Sequence, residues 1–233
     1  MNVVITGASK GIGFALAKQF ISGKRLRLFL IARSEKNLLE LKKECRHINP
    51  EADVVSVPFD MQNLLMRGIP EAVDCDHIDI LVNNAGLLIN KPFQELETDE
   101  IVGMTTVNFV APALLILKSL HKMGGEKATH VINIGSMGGF QGSMKFPGLS
   151  IYSASKAALA SLTECLATEF KDRNVFFNSL ALGAVQTEML DKAFPGYKAP
   201  LNSDEMAGFI ADFALNGHKY FNGKILPVSV STP

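Results

Sequence analysis

The chain has 233 residues, and its 23 Lys+Arg balance its 23 Asp+Glu to a formal net charge of zero. That balance speaks against a nucleic-acid partner and an acidic tail, while 47% apolar residues suffice for one sizeable core, so residues 1–233 read as a single domain. Cys45, Cys75 and Cys165 sit outside any CxxC pair and the five histidines show no HxH or HExxH spacing, so reduced thiols, a cytoplasmic location and no metal are expected.

Met1-Asn2-Val3-Val4-Ile5 leads directly into a glycine loop with no basic or apolar leader before it, so no signal peptide is expected. Apolar, β-branched runs then alternate with longer helical patterns. Strands are predicted at 3–5, 28–31, 54–57, 78–82, 130–134, 175–177 and 225–230. Helices are predicted at 11–22, 35–46, about 62–72, 98–121, 152–171 and 203–215. The strands are mostly continuous apolar runs, as expected when both faces are buried. Such alternation predicts an α/β fold, a doubly wound parallel sheet of about seven strands with helices on both faces. No apolar run is long enough to span a bilayer, so no membrane partner is expected. The stretch 183–202, with Gly183, Pro195, Gly196 and Pro200, reads as a substrate loop beyond the carboxyl end of the sixth strand, where open α/β sheets bind ligands.

Two motifs carry chemistry. Thr6-Gly7-Ala8-Ser9-Lys10-Gly11-Ile12-Gly13 stands between a strand and a helix. Glycines there let backbone N–H groups approach a pyrophosphate, and the helix N-terminus favours its charge. Tyr152 and Lys156 stand four apart at the start of a helix, on one face. A free phenol has a pKa near 10, and a neighbouring ammonium is expected to lower it far enough for proton exchange.

The TGxxxGxG spacing, the Asn83-Asn84-Ala85-Gly86 segment after the fourth strand, and Tyr-Ser-Ala-Ser-Lys followed by Ala157-Ala158-Leu159 resemble the short-chain dehydrogenase/reductase family over essentially the full chain. The resemblance implies a Rossmann-like fold and hydride transfer between a nicotinamide cofactor and a carbonyl/alcohol pair. It implies that Gly7, Ser9, Lys10, Gly11, Ile12 and Gly13 cradle the cofactor. NAD-binding relatives carry an acid after the second strand, whereas this chain has Ala32 and Arg33; with Lys10 this favours NADP(H). Asp60 is expected at the adenine, or as a helix cap, or both. Asn83, Ala85 and Gly86 are expected to line the cofactor. The family places a serine at Ser136 to orient the substrate oxygen, with Ser143 and Ser150 as alternatives because the spacing to Tyr152 is a few residues longer than usual. Tyr152 becomes the general acid/base, and Lys156 tunes it and grips the nicotinamide ribose. The backbone carbonyl of Asn108 would relay protons through water, and Pro112, four residues on, has no N–H to occupy it. Gly183, Val185 and Thr187 match positions near the nicotinamide, although Leu182 replaces the usual proline.

A catalytically silent NADP(H) sensor or scaffold on the same fold is the alternative. An extended epimerase or dehydratase would need a larger C-terminal domain. Residues 109–117 are apolar around the helix circumference, and 152–171 carries Ala158, Ala160 and Ser161 where another helix could approach. In relatives these helices pair across a two-fold axis, so a homodimer is expected, and a homotetramer if a second interface exists. Val228-Ser229-Val230 lacks the family's usual terminal Gly-Gly, which weakens the case for that second interface.

Overall fold

The computed structural model describes residues 1–22, 26–68, 70 and 73–230. Among these residues the strands are Asn2–Thr6 (β1), Arg27–Ala32 (β2), Asp53–Pro58 (β3), Ile80–Asn83 (β4), Thr129–Ser136 (β5), Val175–Leu182 (β6), Val185–Gln186 (β7), Leu201–Asn202 (β8) and Lys224–Val228 (β9). The helices are Gly11–Ile21 (α1), Glu35–Ile48 (α2), Leu64–Arg67 (α3), Thr98–Thr105 (α4), Ala111–Ser119 (α5), Ser150–Glu169 (α6), Glu188–Ala193 (α7) and Ser203–Asn216 (α8). A parallel sheet runs in the order β3-β2-β1-β4-β5-β6-β9, and β7 pairs with β8 as a separate ribbon. The strand order reverses between β1 and β4, which opens a crevice at their carboxyl ends.

Strand side chains alternate between faces. Val3, Ile5, Leu28, Leu30, Val82, Ile132 and Leu180 enter one layer with Leu16 and Phe20 of α1, Leu38 and Leu41 of α2, and Ile210 and Phe213 of α8. Val4, Phe29, Ile31, Leu81, Val131 and Phe177 enter the other, with Leu64 of α3, Leu115 and Ile116 of α5, and Ala167 of α6. Both faces are therefore covered, which is why the strands read as continuous apolar runs. Phe29 and Phe177 are wholly buried, and truncating either to alanine costs about 3–5 kcal/mol.

At the amino end of the sheet, His130 of β5 is buried among helices and strands. Its Nδ1–H donates to the Ala214 carbonyl at the end of α8 (3.0 Å), and its Nε2 accepts from Asn178 Nδ2 of β6 (3.0 Å). Asn178 also donates to the Phe221 carbonyl (2.9 Å) and accepts from Lys224 N of β9 (3.1 Å). Burial pushes the imidazole down from 6.5 to about 4, so the neutral tautomer closes this end of the fold.

Three segments differ from expectation. The predicted helix at 62–72 is a short 3₁₀ turn, Met61–Asn63, followed by the single turn of α3. Gly68, at φ +75°, ends it by returning its N–H to Leu64 O, and Pro70 follows. Ile69, Glu71 and Ala72 of that predicted helix lie outside the described residues.

The helix predicted at 98–121 is a rod of several pieces. A capping box, with Glu100 accepting from Glu97 N at 2.8 Å, starts α4. Thr106–Val110 is a π-turn in which the Ala111 N–H reaches Thr106 O, and α5 follows it. Pro112 cannot donate to Asn108, and the chain inserts a residue instead. The whole rod, Thr98–Lys122, has 25 residues and a mean hydropathy of 1.7, so by length and composition it could cross a membrane. The expectation of no such run overlooked it because Thr105, Thr106 and Asn108 interrupt the apolar residues. Here Ala111, Leu115 and Ile116 pack into the sheet layer, while Val102 and Leu117 are exposed.

The stretch 183–202 is more ordered than a loop. It holds β7, α7 and β8, joined by Gln186, whose Oε1 accepts from Ala199 N at 2.9 Å.

Candidate active site

Thr6, the last residue of β1, accepts from the backbone N–H groups of Asn84 and Ala85 through Oγ1, each at 3.0 Å. Asn84 Nδ2 returns a bond to Thr6 O at 3.0 Å. The carboxyl ends of β1 and β4 are thus joined at the point where the strand order reverses. Gly7 follows at φ +68°, and a Cβ there would lie 2.7 Å from Ala85 Cα. A Cβ on Gly13 would lie 2.4 Å from Gly7 O and 2.6 Å from Asn84 Nδ2. Only glycine lets α1 begin this close to the loop.

The result is a cavity of about 730 Å³ at the N-terminus of α1, running from Arg33 and Asp60 at one end to Phe194 and Tyr197 at the other. The first turn of α1 carries no acidic residue, so nothing there opposes an anion. At the Arg33 end, Ser34 caps α2 by accepting from Asn37 N (3.3 Å), and Asp60 caps its turn by accepting from Gln62 N (3.0 Å). Arg33 is exposed on the cavity wall. Lys10 is not free: it forms an ion pair with Glu188, the first residue of α7.

The second half of the cavity is built on β5 and α6. Ser136 ends β5 and accepts from Gly138 N at 3.2 Å. A Cβ on Gly139 would lie 2.7 Å from Ala157 N, so the turn after Ser136 rests directly on α6. Ser136 and Tyr152 thereby line the same cavity, and Ser136 is the polar neighbour that acts on the phenol. One turn on, Lys156 is buried; its Nζ donates to Ile134 O at 2.8 Å and lies 6.0 Å from the Tyr152 ring centroid. Burial pulls the Lys156 ammonium from 10.5 down to about 8. Burial pushes the Tyr152 phenol up, and the Ser136 hydrogen bond pulls it back. Burial is the larger influence on the phenol, and the Lys156 ammonium is turned to the Ile134 carbonyl.

Beneath the site a file of buried amides ties α6 to the sheet. Asn83 Nδ2 donates to Asn133 Oδ1 at 2.8 Å, and Asn133 Nδ2 to Thr163 Oγ1 at 2.9 Å. Asn108, wholly buried on the π-turn, accepts from Leu87 N (2.8 Å) and donates to Leu87 O (2.9 Å) and Ser155 Oγ (3.0 Å).

The family description "short chain dehydrogenase" matches residues 1–198. The chain belongs to the short-chain dehydrogenase family. An uncharacterised oxidoreductase of Staphylococcus saprophyticus is 31% identical over 209 residues, covering 88% of this chain and 86% of the relative. A short-chain dehydrogenase/reductase mutant from Serratia marcescens superposes with a TM-score of 0.84 at 25% identity, covering 97% of this chain and 95% of that one. A structure described as a putative NAD(P)-dependent gluconate 5-dehydrogenase from Beutenbergia cavernae, with bound NADP, gives 0.81 at 25% identity, covering 98% and 94%.

As a short-chain dehydrogenase, the protein has a site for a nicotinamide cofactor, and the cradle fits one: its glycines leave room where a Cβ would intrude, and the α1 N-terminus faces the cavity. Of the site residues expected from sequence, all but three line this cavity. Gly13 acts behind it, as the close-approach residue under the glycine loop. Asn83, expected against the cofactor, points into the amide file, and its neighbour Asn84 reaches the cavity instead. Asn108 orders the segment behind Lys156. Ser143 and Ser150 do not line the cavity, and Ser143 donates to Phe140 O (2.8 Å), so Ser136 is the serine facing Tyr152. Gly183 lines the wall, and a Cβ there would meet Ser229 Oγ at 2.4 Å, so its glycine is also demanded by the chain beyond β9. Thr187 lines the cavity while capping α7, accepting from Leu190 N at 3.2 Å. Leu87, Leu88 and Met137 also line it; no motif marks them.

Proposed function

We propose that this short-chain dehydrogenase is an NADP(H)-dependent oxidoreductase that interconverts a carbonyl and an alcohol, with Tyr152 as general acid and base. The observation that carries this is that Ser136, Tyr152 and, one helical turn on, a buried Lys156 line one cavity continuous with the glycine cradle, with Lys156 Nζ 6.0 Å from the Tyr152 ring centroid. The cofactor supplies or accepts the hydride. Ser136 orients the substrate oxygen. Tyr152 donates a proton to that oxygen in reduction and takes it back in oxidation. Lys156, with its proton held loosely, favours the phenolate as the proton leaves, and the Asn108 carbonyl is the proposed route for its replacement.

NADP(H) is preferred because Arg33 stands where an acid would repel a 2′-phosphate, and Lys10 can add a second cation by leaving Glu188. The NADP in the Beutenbergia structure is in keeping with this choice. The proposed assembly is a homodimer, through the exposed apolar side of α4 and α5 and the small-residue face of α6, acting in the cytoplasm on a small-molecule substrate. Sedimentation at micromolar concentration should give a species near twice the chain mass of 25.3 kDa; a species near 25.3 kDa rejects the dimer.

Tyr152→Phe tests the chemistry. It should keep the melting temperature and NADPH affinity while lowering kcat by about a hundredfold or more. Turnover near the wild-type value would reject Tyr152 as the proton donor.

A further inference from the structure

We infer that the substrate is an uncharged carbonyl compound with a bulky apolar body, free of carboxylate, phosphate and hydroxyl groups near the reacting carbon. This rests on the oxidoreductase reading of the same cavity. Beyond Ser136 and Tyr152 the walls come from three segments, which contribute Leu87 and Leu88, then Phe146, then Met189, Phe194 and Tyr197. Phe146, Met189 and Tyr197 are 44%, 39% and 49% exposed, unusually open for large side chains gathered at one mouth. An apolar guest would remove their surface from water.

Three polar side chains on the segments that carry these walls, Asn90, Lys91 and Lys145, are bonded to the protein itself. Asn90 Nδ2 donates to Ala193 O at 2.7 Å and so ties the first wall to the third. Lys91 donates to Glu100 at 3.0 Å. Lys145, beside Phe146, donates to Phe140 O at 2.7 Å and to Ser143 Oγ at 2.8 Å. The backbone stitches the walls further, with Lys91 N donating to Gly148 O at 3.1 Å.

The charged groups lining the cavity lie mostly at its glycine-loop end or are bonded to the protein. Lys10, Arg33 and Asp60 belong to the glycine-loop end, Glu188 pairs with Lys10, and Lys156 bonds to Ile134 O. Lys192 on α7 is the one cation left among the described lining residues of the substrate half. A substrate carboxylate would meet no arginine fork there. A polyhydroxylated chain would lose water from each hydroxyl against aliphatic and aromatic walls. Beyond Ser136 and Tyr152, the polar groups that these walls carry are the Lys192 ammonium and the Tyr197 hydroxyl, set among Leu87, Leu88, Phe146, Met189 and Phe194.

The test follows NADPH oxidation with three probes: tert-butylcyclohexanone, dihydroxyacetone and pyruvate. The expected result is a kcat/KM at least about a hundredfold higher for the cyclic ketone than for either polar probe. Phe146→Asn should raise KM for the cyclic ketone about tenfold without lowering the melting temperature, because Phe146 is half exposed. Saturation-transfer NMR on Tyr152→Phe with NADPH should rank binding of the three probes in the same order, without turnover. Preference for dihydroxyacetone or pyruvate, with turnover abolished by Tyr152→Phe, would overturn the apolar substrate and leave the oxidoreductase reading standing. Neither turnover nor NMR contact with any probe would overturn both.

Discussion

Lys156 and His130 meet opposite ends of one strand, and burial drives both toward their neutral forms. His130, at the amino end of β5, has both ring nitrogens hydrogen-bonded and sits near pKa 4, neutral throughout the ordinary pH range. Lys156, against Ile134 near the carboxyl end, has one protein acceptor among the described residues for its three donors and sits near pKa 8. The same desolvation gives a settled structural joint at one end and a cation that exchanges its proton readily at the other. The difference lies in hydrogen-bond completion. A fold that satisfies every polar group gains rigidity, and one that leaves a buried charge short of partners keeps it available to a ligand at a cost in stability.

The largest effect should come from Lys156→Met. Turnover should fall at least about a hundredfold. Urea denaturation at pH 7 should meanwhile show the unliganded protein gaining up to about 3 kcal/mol, the free-energy equivalent of a pKa drawn from 10.5 to about 8. The sign follows from linkage. The unfolded lysine holds its proton up to pH 10.5 and the folded one only to about 8, so wild-type stability rises with pH across that window and the mutant's advantage shrinks. Loss of both activity and stability would mean that Lys156 is a structural joint like His130.

His130→Leu should do the opposite. It leaves the Ala214 carbonyl without its donor and should cost about 2 kcal/mol, with kcat and KM changed less than about twofold. The wild type should lose up to about 3 kcal/mol as pH falls from 6.5 to 4, because the unfolded imidazole takes up a proton that the folded one refuses. His218, also lowered by burial, adds in the same direction. The variant should lose most of that slope in urea midpoints measured across the window, and an unchanged slope would remove His130 from the account.

The smallest effect concerns the cavity far from the reacting atoms. Arg33→Asp should move the NADPH-to-NADH affinity ratio by at least about tenfold toward NADH, roughly 1.4 kcal/mol, with kcat on a saturating cofactor little changed. Fluorescence titration of both cofactors measures it. An unchanged ratio would remove Arg33 from cofactor choice.

The residues that were legible in the sequence are those whose signal is local. Val3 to Ile5 and Leu28 to Ile31 announce buried strands by composition alone, and Tyr152 and Lys156 announce a shared helix face by spacing. Asn83 and Asn84 were not separable that way. They are adjacent and chemically identical, and only the parity of β4 sends the first into the amide file and the second toward the cavity. The His130–Asn178 joint was silent because its members are far apart in the chain and belong to no motif. The order within 183–202 escaped because β7 and β8 are two residues each, too short for any periodicity, and their pairing is non-local. The predicted helix after Asp60 overran Gly68, a residue whose positive φ is a property of the folded backbone.

The π-turn at Thr106–Val110 sets a phase. An α-helix advances about 100° per residue, so the inserted residue rotates everything after it relative to α4. That rotation lets Asn108 face Leu87 while Leu115 and Ile116 still face the sheet. A one-residue deletion there would leave hydropathy and length almost untouched, yet it would swing Ala111, Leu115 and Ile116 off their layer. At this point the fold tolerates a change of side chain more readily than a change of count.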